Sequence, residues 1–163
     1  MFFDPLFVQK ATRLSSYTIT ANTEAIFDYD YKGQSCSIIF ENHYVFLIKK
    51  KPLQLIRESC RHYGWSYRER IHQTRQYFKN SHKLPILITS TSRKPCILFP
   101  LYSPIALNNA WLNLYAVRAV KKRGDYCVVT FSQKEIPIPA TMNVFKTQYT
   151  LASLFARNCE LDL

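Results

Sequence analysis

Nearly all of the net positive charge of this chain lies in one stretch, residues 49–94. The stretch holds twelve Lys and Arg against two acids, Glu58 and Glu69, and so accounts for +10 of the formal net charge of +11. Charges of one sign repel each other, and this cost is easily tolerated only where a polyanion or many counterions lie nearby. Aromatic residues and three His are interleaved with the cations. This mixture predicts a folded anion-binding surface rather than a disordered basic tail.

The residues alone leave several interpretations of the basic stretch open. A charge run is commonly a solvated face without a ligand. A polyanion would relieve the repulsion, and nucleic acid is the commonest such partner. An anionic membrane ranks below it, because the cations do not follow one long amphipathic helix with an unbroken apolar face. An acidic protein partner and single-stranded RNA, stacked on Tyr63, Trp65 and Tyr67, remain alternatives.

Length and composition predict one globular domain. The chain has 163 residues, of which 47% are hydrophobic and 15% aromatic, and these values exclude disorder. We expect a lead-in over residues 1–15, a domain over residues 16–158 and a short tail over residues 159–163. No run of eighteen apolar residues and no secretory pattern at the start is present. The expected location is therefore the cytoplasm, without a membrane partner.

Short β-branched and aromatic runs between turn residues predict eight or nine strands. Residues 17–20 and 25–29 should form one hairpin, and residues 36–40 and 44–48 a second, with Gly33 in the turn between them. The lead-in should be loosely docked, because Asp4-Pro5 should break an early helix. Further predictions are strands at 86–88, 96–99, 111–117 and 126–131, a turn with Arg93 and Lys94 at its tip, a hairpin tip at 121–125, and an edge strand at 136–139.

Proline and glycine predict the bounds of a first helix. Pro52 suits the first helical position, and Gly64 supplies the end. Leu53, Ile56, Cys60 and Tyr63 recur at helical spacing, so they should face the core. Arg57 and Arg61 would then project outward, one turn apart.

Ser66 and Glu69 form a capping-box pattern that predicts a second helix. Its inner face would hold Tyr67, Ile71, Thr74 and Phe78, and its outer face Arg68, His72, Arg75 and Lys79. An extended basic loop is the alternative. A third helix should begin at Thr141 or Asn143 and run to about Arg157. The predicted fold class is α+β, a single domain with a mostly antiparallel sheet and two or three helices.

The sequence predicts no enzyme, cofactor or metal site. The chain has no phosphate-binding loop motif and no nucleophile elbow. Asp28 and Asp30 are the only close acid pair and fit a solvated hairpin face better than a metal site. His62, His72 and His82 share no helical face and should be polar surface residues. The five Cys contain no C-x-x-C pair, so we interpret all of them as thiols in or near the core.

Several segments in order match one known family. They include Lys-Pro-Leu-Gln-Leu-Ile at residues 51–56, Ser-Cys-Arg-His-Tyr-Gly at 59–64, Ser-His-Lys-Leu-Pro-Ile at 81–86, Trp111, Val-Thr-Phe-Ser at 129–132, and residues 139–148. Across residues 35–157 this pattern resembles the ComK family of competence transcription factors. The match is weaker at residues 70–75 and in the short C-terminal end, which leaves a shortened or divergent relative without activation as an alternative.

The resemblance implies an activator of competence genes that binds double-stranded, AT-rich DNA. It implies recognition of paired A-tract and T-tract boxes from the minor groove, where a narrow groove attracts Arg and Lys. It further implies a homo-oligomer, association with the nucleoid, contact with RNA polymerase, and removal by a proteolytic adaptor.

Charge and resemblance together predict the DNA-binding residues. The predicted contacts are Arg57, Arg61, Arg68, Arg70, Arg75, Lys79 and Lys83, with Lys121, Lys122 and Arg123 as a secondary contact. Arg57 and Arg61 should matter more to DNA affinity than Cys60 or any His.

Overall fold

Strands form most of the fold in a computed structural model of the chain, which describes residues 3–90, 94–132 and 134–159. Within these ranges the chain has ten strands and four helices. In order they are α1 (Pro5–Gln9), β1 (Thr12–Leu14), β2 (Thr23–Tyr31), β3 (Gln34–Glu41), β4 (Tyr44–Ile48), α2 (Pro52–His62), α3 (Tyr67–Arg75), β5 (Ile86–Thr89), β6 (Cys96–Pro100), β7 (Ala110–Asn113), β8 (Ala119–Arg123), β9 (Tyr126–Thr130), β10 (Glu135–Ile138) and α4 (Met142–Asn158).

The strands form one large and one small sheet. The large sheet has the order β1-β4-β3-β2-β7-β6-β5, and the small sheet has the order β10-β9-β8. Every pair is antiparallel except β1 with β4. The predicted α+β class with a mostly antiparallel sheet is therefore confirmed.

Consecutive residues of the large sheet enter two different hydrophobic clusters. Ile26 and Trp111 belong to the cluster that contains the inner face of α2. Phe27 and Leu112 belong to the other cluster, which contains the small sheet and α4. Both faces of the large sheet are covered, which explains the unbroken apolar runs in its strands. The domain thus has three layers, with α2 and α3 on one face and the small sheet with α4 on the other.

Local signals predicted the first helix correctly. Pro52 occupies the first turn of α2. Gly64 follows the helix with φ of +84°. The N–H of Gly64 donates to the carbonyl of Arg61 (3.0 Å), and the N–H of Trp65 donates to that of Cys60 (2.9 Å). This Schellman pairing satisfies carbonyls that the helix end leaves unbonded.

The second helix, α3, is also present, so the alternative of an extended loop is wrong. The Ser66 hydroxyl accepts from the Glu69 N–H (3.1 Å), and the Glu69 carboxylate accepts from the Ser66 N–H (3.3 Å). This is the predicted capping box. The helix ends at Arg75, before Phe78, so Lys79 lies beyond it.

The N-terminal segment differs from the prediction of a loosely docked lead-in. Asp4 caps α1, since its carboxylate accepts the Leu6 N–H (2.8 Å), and Pro5 occupies the first helical position. Val8 is buried, and β1 adds a parallel edge strand to β4. Asp-Pro here begins a helix, because a capping carboxylate followed by a fixed φ favours the first turn.

The predicted strand at residues 17–20 is wrong. The backbone N–H of Ile19 donates to the Ser59 hydroxyl (3.0 Å), and the Ile19 carbonyl accepts from the Tyr63 hydroxyl (2.8 Å). Side chains of α2 and of Tyr63, the residue that follows it, therefore satisfy the backbone that a strand neighbour would have bonded. The Gly33 turn and the hairpin of β3 with β4 are confirmed.

The predicted hairpin between residues 111–117 and 126–131 is wrong. β7 ends at Asn113, whose carbonyl accepts from the Ala116 N–H (3.0 Å) in a turn. The chain then passes to the small sheet, where β8 pairs with β9. Residues 121–123 consequently lie on β8. The predicted hairpin tip at 121–125 is confirmed only for Gly124 and Asp125, which form the turn between β8 and β9.

The described residues form ten strands and four helices where eight or nine strands and two or three helices were expected, because β1, β8 and α1 were not predicted. Several other predictions agree with the structure. β5 and β6 pair as expected, β10 is an edge strand, and Thr141 caps α4 by accepting the Val144 N–H (3.3 Å). Four Cys are buried, Cys159 is half-buried, and all five are free thiols. Arg93 of the predicted turn lies outside the described residues. No described helix is long and apolar enough to cross a membrane.

Candidate nucleic-acid interface

Helix α2 turns its two arginines outward. Arg57 and Arg61 are exposed, while Ile56 and Cys60 are fully buried. Burial raises the pKa of the Cys60 thiol to about 11, so this thiol is protonated and unreactive at neutral pH. The predicted orientation of this helix is confirmed.

Helix α3 presents a second group of cations. Arg68, His72 and Arg75 are exposed and line a shallow depression with Tyr67. Arg68 and Arg75 are seven residues apart, which is close to two helical turns, so they project from the same side. This is the predicted outer face of the helix.

Tyr67 brings the cations of the two helices together. The Arg57 guanidinium lies over its ring, 5.4 Å from the centroid. Burial raises the pKa of the Tyr67 phenol, and the positive charges of Arg57 and Arg75 oppose this increase. We call the exposed arginines Arg57, Arg61, Arg68 and Arg75 the basic face.

The two acids of the basic stretch are both engaged elsewhere. Glu58 pairs with Lys50 at 2.9 Å, and the hydrogen bond from Lys50 is the main cause of the lowered pKa of its carboxyl. Glu69 is held in the capping box. Within the part of the chain that the structure describes, none of the four basic-face arginines forms an ion pair.

Arg70 is not on the surface, in contrast to the prediction. Its exposed fraction is 5%, and its guanidinium stacks on the Trp65 ring at 4.1 Å from the centroid. Position 70 is three residues after Tyr67 and four before Thr74, which places it on the inner face of α3. Burial lowers the pKa of this guanidinium, although an arginine remains charged at neutral pH. The count of cations along the sequence did not show that Arg70 is buried. The helical spacing of Arg70 from Tyr67 and Thr74 does indicate it.

Lys79 and Lys83 lie beyond the end of α3. Lys79 is exposed. Lys83 is half-buried, with its ammonium 5.7 Å from the centre of the Tyr102 ring. Its carbonyl accepts from the Gln148 side chain at 2.8 Å. Lys83 is thus held against the segment that follows β6, apart from the basic face.

The predicted secondary contact lies in another layer. Lys121, Lys122 and Arg123 are exposed on β8 of the small sheet. The ammonium of Lys121 pairs with Glu135 at 3.0 Å. Since the small sheet and α2–α3 cover opposite faces of the large sheet, these cations do not extend the basic face.

The sequence did not indicate a cleft beside Arg57 and Arg61. The two arginines and Lys51 line one wall of a cleft of about 600 Å³, and residues 104–107 line the facing wall. Trp111 lies at its floor. The only signal in the sequence was a pair of large apolar residues, Ile105 and Leu107, between turn-forming residues. That signal is weak, because single apolar residues are common on surfaces.

The aromatic residues of this region do not form one stacking surface. Trp65 is exposed, whereas Tyr63 and Tyr67 are half-buried and so less accessible to a base. The Tyr63 hydroxyl is bonded to the Ile19 carbonyl, and the Tyr67 ring lies under Arg57. The arrangement therefore gives little support to the alternative of stacked single-stranded RNA.

The described His and Asp side chains do not suggest a catalytic or metal site. His62, His72 and His82 are exposed. Asp28 accepts the Asn108 N–H (3.1 Å), and Asp30 accepts the Gly33 N–H (2.8 Å). No group of three or more residues with metal-ligand side chains is found among the residues described.

Comparison with known proteins decides the family. The sequence profile of the ComK protein matches residues 14–160. The chain belongs to the ComK family. It is 34% identical over 137 residues to the competence transcription factor of Bacillus subtilis (strain 168), a match that covers 83% of this chain and 70% of the relative. No solved structure matches the chain significantly.

The family match covers most of the described fold. The match begins in β1 and extends past the end of α4, so it includes both helices of the basic face. The relative from Bacillus subtilis is named a competence transcription factor, so the comparisons support a regulator of competence transcription.

Proposed function

We propose that this ComK family member regulates competence genes by binding double-stranded DNA through its basic face. The observation that supports the proposal is the group of four exposed arginines on α2 and α3 that have no ion-pair partner within the described structure. Such a group attracts a regular polyanion, because phosphate contacts replace and release the counterions of DNA. The protein acts as a binding module and not as an enzyme.

The proposal extends to AT-rich sites read from the minor groove. A-tracts narrow the minor groove and strengthen its negative potential, and arginine is the side chain that favours such grooves. The same proposal includes activation of transcription and contact with RNA polymerase. It also includes association with the nucleoid and turnover through a proteolytic adaptor. Lys79 and Lys83 remain candidate contacts at the end of the basic stretch, while residues 121–123 would need a second DNA segment.

Replacing both α2 arginines tests the proposal directly. Arg57→Ala with Arg61→Ala should leave the fold intact, because both side chains are exposed. The slope of log affinity against log salt concentration should become less steep by about two, since two phosphate contacts are lost. The measurement is a titration of an A-tract duplex by fluorescence anisotropy at several salt concentrations.

Cys60→Ala is the matched control on the same helix. It should lower the free energy of unfolding by about 1–3 kcal/mol through a lost packing group, and leave the salt slope unchanged. Competition with GC-rich duplex and heparin then separates recognition of groove shape from charge alone. Unchanged affinity in the double arginine variant would contradict the proposed surface, and equal affinity for all three polyanions would leave a generic polyanion binder.

We also propose that the protein forms a homo-oligomer on DNA. Among the described strands, β8 is an edge that displays Lys121 and Arg123, and like charges there oppose pairing between two copies of that edge. The interface should therefore involve another surface. Sedimentation equilibrium should give a multiple of the 19.2 kDa chain mass, and finding monomer alone both with and without target DNA would exclude the oligomer.

A further inference from the structure

The loop between β6 and β7 displays two large apolar side chains. Ile105 is 84% exposed and Leu107 is 81% exposed, which are the highest values for large hydrophobic residues in the described structure. Each side chain lies at the crest of the loop, largely exposed to solvent at the rim of the cleft. Apolar side chains at such positions gain free energy when a partner covers them.

The loop is fastened at its base. Asn109, which is 2% exposed, uses all its side-chain bonding capacity here. Its carbonyl oxygen accepts from the N–H groups of Tyr102 (3.0 Å) and Ala110 (2.9 Å), and its amide donates to the carbonyls of Tyr102 (3.2 Å) and Ser103 (2.9 Å). The Asn108 N–H is anchored to Asp28 (3.1 Å). Ile105 and Leu107 are therefore held in place before any partner binds.

The crest of this loop faces the basic helix across the cleft. Ile105 and Leu107 line one wall, and Lys51, Arg57 and Arg61 line the other. Two acids also line the cleft, and both are engaged. Asp28 bonds to Asn108, and Glu58 pairs with Lys50 at 2.9 Å. The cleft is thus positively charged on one side and ends in an apolar crest on the other.

We propose that Ile105 and Leu107 form a wedge that enters the minor groove and partly unstacks one base step. One sugar–phosphate backbone then lies in the cleft, with its phosphates against Arg57 and Arg61 and its sugars against the apolar wall. Proteins that bind the minor groove insert apolar side chains in this way, and the contacts that the bent duplex permits offset the unstacking. The inference rests on the proposed DNA binding and adds how the protein distorts its site.

A peptide is the less suitable occupant of this cleft. Peptide-binding grooves supply concave apolar pockets for anchor side chains. Here the floor residue Trp111 is fully buried, and the most exposed apolar atoms project from the crest. A projecting apolar pair beside a row of cations matches a wedge and its phosphate contacts.

The test uses an AT-rich duplex that carries 2-aminopurine in place of one adenine. The fluorescence of this base rises when it is unstacked, so moving the label along the site locates the affected step. We expect a rise at one step with the unaltered protein. Ile105→Ala with Leu107→Ala should abolish most of the rise and weaken binding by about tenfold. The salt slope should stay the same, because no charge is removed.

Leu154→Ala is the matched control, since Leu154 is an exposed leucine on α4, in a different layer. It should change neither the fluorescence nor the affinity. Thermal unfolding of the loop variant should match that of the unaltered protein, because both side chains are solvent-exposed.

The outcomes separate the wedge from the proposed function. Failure of the unaltered protein to bind any duplex would overturn both. Salt-dependent binding without a rise at any label position, or with the same rise in the loop variant, would overturn the wedge and keep DNA binding. Loss of self-association in the loop variant with the rise intact would assign the loop to a protein interface instead.

Discussion

Trp111→Ala is expected to lower the free energy of unfolding by about 3–5 kcal/mol, the range for removing a large aromatic side chain from a packed core. Trp111 is fully buried. It lies on β7, opposite Ile26 of β2 and Pro100 of β6, in the cluster that also contains Ile56 and Cys60 of α2. Its loss would leave a cavity between the large sheet and the helix that bears the basic face.

Urea denaturation followed by far-UV circular dichroism measures this loss, since the substitution removes one of the two tryptophan fluorophores. Trp111→Phe is the control and should cost less, about 1–2 kcal/mol, because the smaller ring fills part of the space. Trp65→Ala compares the loss of an exposed tryptophan with the loss of a buried one, since Trp65 is 46% exposed. A loss below about 1 kcal/mol for Trp111→Ala would mean that the site collapses around the missing ring.

Asn109→Leu is expected to lower the free energy of unfolding by about 2–4 kcal/mol, with an additional local effect. Leucine has a similar volume but leaves four backbone groups near Tyr102, Ser103 and Ala110 without their side-chain partner. An unpaired buried polar group costs about 1–3 kcal/mol, and water can reach part of this half-buried loop base. The loop should therefore open.

Amide hydrogen exchange at residues 102–108 detects this opening, and it should accelerate there more than in β2 or β3. Asn158→Leu near the end of α4 is the control, since Asn158 is exposed and the change should stay within about 0.5 kcal/mol. If exchange at residues 102–108 is unchanged in Asn109→Leu, then Asn109 does not fix the loop. If the loop opens while the DNA-induced fluorescence persists, preorganisation of Ile105 and Leu107 is unnecessary for the wedge.

The burial of Arg70 shows that the positions of charges in the sequence do not reveal which cations face solvent. In the sequence Arg68, Arg70 and Arg75 look equivalent, yet only Arg68 and Arg75 face solvent. Arg70 instead covers Trp65 and supports the junction between α2 and α3. A long side chain with an apolar stem and a planar cation can pack in this way without a carboxylate partner. Charge density predicted the region correctly but not the role of each residue.

The limits of α2 and the starts of α3 and α4 follow from the sequence alone. Pro52 and Gly64 bound α2, Ser66 and Glu69 begin α3, and Thr141 caps α4. Each signal acts through bonds between residues fewer than six positions apart, so it does not depend on the rest of the fold. The outward orientation of Arg57 and Arg61 follows equally from helical periodicity.

Only the tertiary structure decided the partners of the strands and the surroundings of the basic face. The segment at Ile19 has strand composition, but side chains of α2 and of Tyr63 bond its backbone. β9 pairs with β8 rather than with the run at Trp111, and this choice moves residues 121–123 to the layer opposite α2. Residues 104–107 and Arg57 line one cleft only because β2, β6 and β7 are neighbours in the sheet. Such contacts join residues tens of positions apart, and their free energy comes from shared burial, which no local pattern encodes.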